Sequence, residues 1–207
     1  SDVYKRQPKV GESLFIAWAG TVIGAFFSFP IAFLAANNFS LNTFSRVTKQ
    51  ILNVIRAFPE LILAFVLLPI TGLGPLTGTL AVGIHSIGTL GKLSSEVIEG
   101  IDEGPLESIK SSGGSKLNEL FFGVIPQVMP TITSYWLYRF EINLRASAVL
   151  GVVGAGGVGA ELINQLRFRD FPRAGTVLVV TIVMVLIVDA ISAAIRRRII
   201  KGRDIKV

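Results

Sequence analysis

The chain has 207 residues, a mean hydropathy of +0.62, 51% apolar and 16% charged residues, and a net charge of +6. Soluble domains carry about a quarter charged residues, so a water-soluble globule is excluded and a polytopic membrane protein is implied. No cysteine and a single histidine exclude disulfides, thiolate metal sites and histidine-cluster metal sites.

Ser1 is not Met and residues 1–7 lack signal-peptide character, so residues 1–10 read as a leader, foreign or truncated. A spanning helix needs about 20 mostly apolar residues, and five stretches meet that to different degrees. Residues 14–36 hold no charge and carry Gly20 and Gly24, a spacing that lets helices approach closely in lipid. Asn37 and Asn38 end that run, and a linker with Arg46, Lys49 and no acid follows. The second stretch, residues 47–70, contains Arg56, Pro59 and Glu60, while Gly, Ser, Thr and His85 interrupt the third, residues 76–98. The fourth, residues 124–149, contains Arg139, Glu141 and Arg145. The fifth, residues 174–195, is apolar except for Asp189.

Arg196, Arg197, Arg198, Lys201, Arg203 and Lys206 crowd the end of the chain. In a soluble protein this would suggest a nucleic-acid tail. Directly after an apolar run it reads as a stop-transfer anchor facing cytoplasm and anionic lipid, with residues 201–207 a basic tail. Five alternating spans then put residues 37–50, residues 99–123 and the C-terminus on the cytoplasmic side. Arg167, Arg169 and Arg173 fall outside, against the charge bias.

The polar stretch between the third and fourth runs carries ordered helix signals. Gly104-Pro105 starts a short helix, and Glu107 suits its positive end. Leu106, Ile109, Leu117, Leu120 and Phe121 offer apolar anchors. Ser111-Ser112-Gly113-Gly114 breaks the helix, and a second helix leads to Pro126. A plain solvated loop rarely has these features in this order.

These residues resemble the cytoplasmic signature of membrane subunits of ATP-binding-cassette importers: Glu-Ala-Ala, three residues, Gly, nine residues, then Ile-x-Leu-Pro. Glu107 opens it, Gly113 lies six residues on and Pro126 nineteen residues on. Ser108 and Ile109 replace the two alanines, Gly123 replaces the first Ile of the closing motif, and Ile125 replaces its Leu. Further segments are similar to phosphonate-importer permeases: Arg56-Ala-Phe-Pro-Glu-Leu61, Gly83-Ile-His-Ser-Ile-Gly88, Leu90-Gly-Lys-Leu93, Tyr138-Arg-Phe-Glu-Ile-Asn143 and Val153-Gly-Ala-Gly-Gly-Val-Gly159.

That resemblance implies an all-α type I importer transmembrane domain over residues 11–200, in a bacterial inner membrane, with a cytoplasmic coupling helix. It implies a second permease copy as dimer partner, two cytoplasmic ATPase subunits and an extracytoplasmic phosphonate-binding protein. Glu107, Gly113, Ile125 and Pro126 would contact the ATPase. ATP and Mg would sit on that partner, with no cofactor on this chain, which has no G-x-x-x-x-G-K-[ST] loop.

Candidate pathway residues follow from the cost of ionisable groups in membrane. Arg56 with Glu60, and Glu141 with Arg145, have the four-residue spacing of helical ion pairs. Arg139 is left as an unpaired guanidinium lending positive potential to a path for dianions. Structural pairing of all these charges is the competing reading. His85 reads as a polar packing residue, and Asp189 as bonded within the bundle. Gly154, Gly156, Gly157 and Gly159 satisfy a dinucleotide-type glycine pattern, but an Arg-rich linker and another span follow instead of a βαβ unit. Close backbone packing beside the pathway gate is the reading that remains.

Two other classes compete. A membrane-embedded enzyme would need clustered carboxylates or a nucleophile–base pair, and Asp102, Glu103 and Glu107 suit a helix start better. A self-sufficient secondary transporter would show inverted repeats.

Overall fold

A computed structural model describes the backbone of residues 2–204 and the side chains of residues 9–200. Expectations for the other side chains, including Lys201, Arg203 and Lys206, lie outside the described residues.

Every secondary-structure element among the described residues is a helix, because in hydrocarbon a helix satisfies every backbone donor and acceptor within its own segment. In order these are α1 (Asp2–Ala35), α2 (Asn42–Ala57), α3 (Glu60–Thr71), α4 (Pro75–Glu99), α5 (Gly104–Ser111), α6 (Lys116–Asn118), α7 (Ile125–Leu150), α8 (Gly157–Arg167) and α9 (Phe171–Asp204). A π-helical stretch, Glu119–Val124, joins α6 to α7 without a break.

α4 is the axis of the bundle. Its Thr77, Val82, Ser86, Leu90 and Ile98 are all buried, with α1, α2, α3 and α7 around it. The expected close approach through Gly20 and Gly24 is present. A Cβ on Gly20 would stand 2.8 Å from Val82 Cγ1, and one on Gly24 would stand 2.4 Å from Ser86 Cβ. Near α5, Ala32, Ala36, Ile98, Val124, Val128 and Ile132 form a core cluster. At the far end a second cluster joins Ala64, Ala81, Leu150 and Ala155.

The second expected span is two helices. α2 and α3 meet at Phe58-Pro59 with a bend of 87°. Proline lacks the N–H that a continuous helix needs and drives the preceding residue into extended backbone; Phe58 has φ −80° and ψ 121°. By length and apolar composition, two helical stretches among the described residues qualify as spans, residues 9–35 and 171–200, and up to four if each bent pair counts as one. α4 is not among them despite its 25 residues, since Gly, Ser and Thr dilute its apolar content. The Arg-rich linker expected after the glycines is in fact α8, packed against α1, α7 and α9.

The bundle has two polar ends. One holds Asn37, Asn38, Glu99, α5, the start of α7 and the end of α9; there Asn37 N–H and Lys49 Nζ both donate to Glu99 Oε1, at 2.7 and 2.6 Å. The other holds Lys9, Glu12, Leu73, the glycine turn and α8. Lys49 and Arg167 thus lie at opposite ends of the bundle.

Candidate functional site

At the first end α5 stands out from the bundle with no fully buried residue. Asp102 Oδ1 accepts from Gly104 N–H at 3.0 Å, Pro105 occupies its first turn, and Glu107 follows there, exposed. Gly113 ends it at φ +77°, a left-handed conformation glycine adopts without penalty, while Gly114 N–H bonds back to Ile109 O at 2.9 Å. Leu106 and Leu120 seat α5 on the cluster around Ile98 and Val124. Gly123 makes room, its Cβ position lying 3.2 Å from Leu106. Leu117 and Phe121, expected as anchors, are exposed instead at 64% and 58%. Ile125 is half-buried and Pro126 exposed, both inside a continuous helix rather than at a break. A cleft of ≈ 220 Å³ runs along α5 between Phe39, Leu106, Glu107 and Lys110.

Halfway along α4 lies a buried polar network. Arg139, only 4% exposed, donates through Nε to Ser86 Oγ and through Nη2 to Glu60 Oε1, both at 3.0 Å. Nη2 also touches His85 Nδ1. His85 Nε2 reaches the Arg56 carbonyl at 3.2 Å, where only a donating N–H satisfies it. A neutral ring therefore leaves Nδ1 as acceptor for Arg139, with Glu60 Oε1 3.0 Å from the same atom. Asn143 extends the network, donating to Thr21 Oγ1 at 2.8 Å and Ser86 Oγ at 3.0 Å. Four helices, α1, α3, α4 and α7, are thus tied at one level.

The pairings differ from those the spacing suggested. Arg139 is ion-paired, so it is not the free guanidinium expected. Glu60 is turned away from Arg56 by the bend at Pro59. Arg56 is exposed and has no ion pair among the described residues. Glu141 does not pair with Arg145. Its Oε1 lies 3.0 Å from Arg196 Nη2, a charge contact whose alignment falls short of a hydrogen bond. Arg145 Nη2 instead donates to Asp189 Oδ2 at 2.8 Å, as the bonded reading of Asp189 required. The two-residue offset of Arg139 and Glu141 does send them to different neighbours, α3 with α4 and α9. Thr21, Ser86 and Asn143 also partner Arg139 or one another; the signal available was a small polar residue on each of the first, third and fourth runs.

At the second end, Gly154, Gly156 and Gly157 have φ of +75°, +81° and +72°. Val158 N–H donates to Ser13 Oγ at 2.9 Å, and a Cβ on Gly157 would collide with that oxygen at 2.4 Å. Gly159 lets α8 press on the end of α7; a Cβ would stand 1.8 Å from Ala148 O. The glycines therefore serve close backbone packing among α1, α7 and α8.

Comparison with known proteins agrees with this geometry. The family described as binding-protein-dependent transport system inner membrane component matches residues 28–201. The phosphite transport system permease protein PtxC of Stutzerimonas stutzeri is 40% identical over 187 residues, 90% of this chain and 68% of that protein. The phosphate-import permease protein PhnE of Mycolicibacterium smegmatis is 41% identical over 190 residues, 91% of this chain but 36% of that protein. The chain thus spans about two thirds of the first relative's length and about a third of the second's. Among solved structures, an inward-facing MetNI methionine transporter chain superposes with a TM-score of 0.79 at 19% identity, covering 93% of this chain and 94% of that one. A chain of an amino acid ABC transporter solved with histidines gives 0.76 at 22% identity over 95% and 97%. The all-α bundle is therefore an importer-permease fold, and the chain belongs to the family of binding-protein-dependent transport system inner membrane components, which are transport subunits and not enzymes.

Proposed function

We propose that this chain is the pathway-forming subunit of an ATP-driven importer for a phosphorus oxyanion such as phosphonate, phosphite or a phosphate ester. Hydrolysis of ATP with Mg belongs to a separate ATPase dimer, delivery to an extracytoplasmic binding protein, and a second permease copy completes the pathway. The observation that carries the reading is α5, an exposed helix set between two bundle helices on an apolar seat, with Glu107 open to a partner. The substrate class rests on the phosphite and phosphate relatives.

On this reading the end bearing α5 and Arg196–Arg198 faces the cytoplasm, as basic residues beside spans favour. Glu107, Gly113, Ile125 and Pro126 form the ATPase contact. Glu60, His85 and Arg139 act as a scaffold that keeps the helices in register, and Glu141 and Arg145 tie α7 to α9. Arg56 takes the pathway role first given to Arg139. It is exposed and level with His85, and an unpaired charge at that depth is costly unless it faces water. The glycine turn borders the outer gate.

ATP-driven uptake of phosphite and methylphosphonate into vesicles holding the permease, its ATPase and its binding protein tests this. Wild type takes up at least one of them, Glu107→Arg and Gly113→Val lose uptake, and Arg56→Gln slows it. Uptake of neither compound removes the substrate class, and full coupled uptake by Glu107→Arg and Gly113→Val removes the α5 reading.

A further inference from the structure

A cleft of ≈ 450 Å³ opens between α7 and α9, lined by Ser134, Tyr135 and Tyr138 on one side and by Ala193, Arg196, Arg197 and Ile200 on the other. We propose that it binds a tetrahedral phosphorus oxyanion group, supplied by a phospholipid headgroup or by the free anion. Among the described residues no acid lines the cleft. Arg196 is held at its wall, with Nη2 3.0 Å from Glu141 and the guanidinium carbon 5.6 Å from the centre of the Tyr138 ring. Glu141 offsets that charge, whereas Arg197 is exposed and has no ion pair among the described residues. The hydroxyls of Ser134, Tyr135 and Tyr138 likewise have no hydrogen bond among the described residues.

The described lining therefore offers hydroxyl and guanidinium donors. A guanidinium fork with hydroxyls beside it matches an anion with several acceptor oxygens on one centre. A cationic ligand would meet Arg197 with like charge. In sequence, Arg196–Arg198 follow directly on the apolar run ending at Ile195. Ala193 and Ile200 give the cleft apolar edges beside its polar centre. A lipid phosphodiester and a free phosphonate present the same tetrahedral oxygens, so the donor set fits both. The site does not depend on the transport reading.

The protein, purified as it assembles, is placed in phosphatidylcholine nanodiscs with and without phosphatidylglycerol. Native mass spectrometry reads retained phosphatidylglycerol, and a methylphosphonate titration in the neutral discs reads the free anion. Arg197→Gln is expected to weaken one or both signals about fivefold, the worth of one basic residue beside an anionic surface. Tyr135→Phe weakens them less, and Arg197→Lys, which keeps the charge, stays close to wild type. Loss confined to phosphatidylglycerol assigns a lipid site, loss confined to methylphosphonate assigns a free-anion site, and loss of both assigns a site open to either. Signals unchanged in Arg197→Gln and Tyr135→Phe, or no signal of either kind from wild type, overturn the proposal.

Discussion

α9 and α4 use their residues in opposite ways. α9 contains the most apolar window of the chain, and only 11% of that window is buried; Leu178, Ile182, Leu186 and Ile191 all point outward. α4 is punctuated by Gly, Ser and Thr, yet a continuous face of it is buried against four other helices. In water the two assignments would be reversed. In lipid, apolar side chains gain nothing by leaving hydrocarbon, so helices associate through small residues that permit close packing and polar groups that find partners. The difference shows which helices hold the bundle together: α4 with α1 and α7, through glycines and the network around Arg139, while α9 mainly faces outward and is tied in by two ion pairs and by one strip around Met184 packed on Ala17 and Leu144.

Substitutions break that contrast in a definite order. Arg139→Leu should do the most damage. It strips Glu60 of its guanidinium, and removing one member of a buried ion pair costs about 3–5 kcal/mol. Thermal unfolding in detergent should drop sharply, and a melting curve like that of the wild type would show that the network holds nothing together. Gly24→Ala comes next. Its methyl would lie 2.4 Å from Ser86 Cβ, so α1 and α4 must part, at about 1–3 kcal/mol. Gly175→Ala on α9 meets nothing within 4 Å and serves as its matched control, with no loss expected.

Asn143→Ala removes two donated bonds, to Thr21 and Ser86. Interhelical bonds of this kind average about 0.6 kcal/mol and reach about 1.7 kcal/mol, so a small but measurable loss is expected. Leu186→Ala, at a side chain 62% exposed, should change stability by less than about 0.5 kcal/mol. If Leu186→Ala cost more than Asn143→Ala in the same melting assay, α9 would have a packing partner outside this chain.

Local features were legible in the sequence and long-range pairings were not. The start of α5 was readable because Gly104-Pro105 and the acidic first turn act within a few residues, and Gly113 marked its end for the same reason. The four-residue pairing of Arg56 with Glu60 assumed a continuous helix, which Pro59 interrupts. For Glu141 and Arg145 the helix is continuous, but α9 runs antiparallel alongside and offers Arg196 and Asp189 at matching heights. Nothing in the local spacing could reveal those partners. Arg167, Arg169 and Arg173 give the end of α8 the look of a linker, although Val158, Leu162, Ile163 and Leu166 repeat with helical period.

The central claim is that α5 is the surface this permease offers to its ATPase. Because the chain has no cysteine, Glu107→Cys creates a single reactive thiol, and a short thiol-reactive cross-linker with a photoactivated arm can be applied to membranes containing the assembled complex. The account predicts a permease–ATPase adduct from Glu107→Cys and none from Arg169→Cys at the opposite end of the bundle. An adduct from Arg169→Cys with none from Glu107→Cys would contradict it.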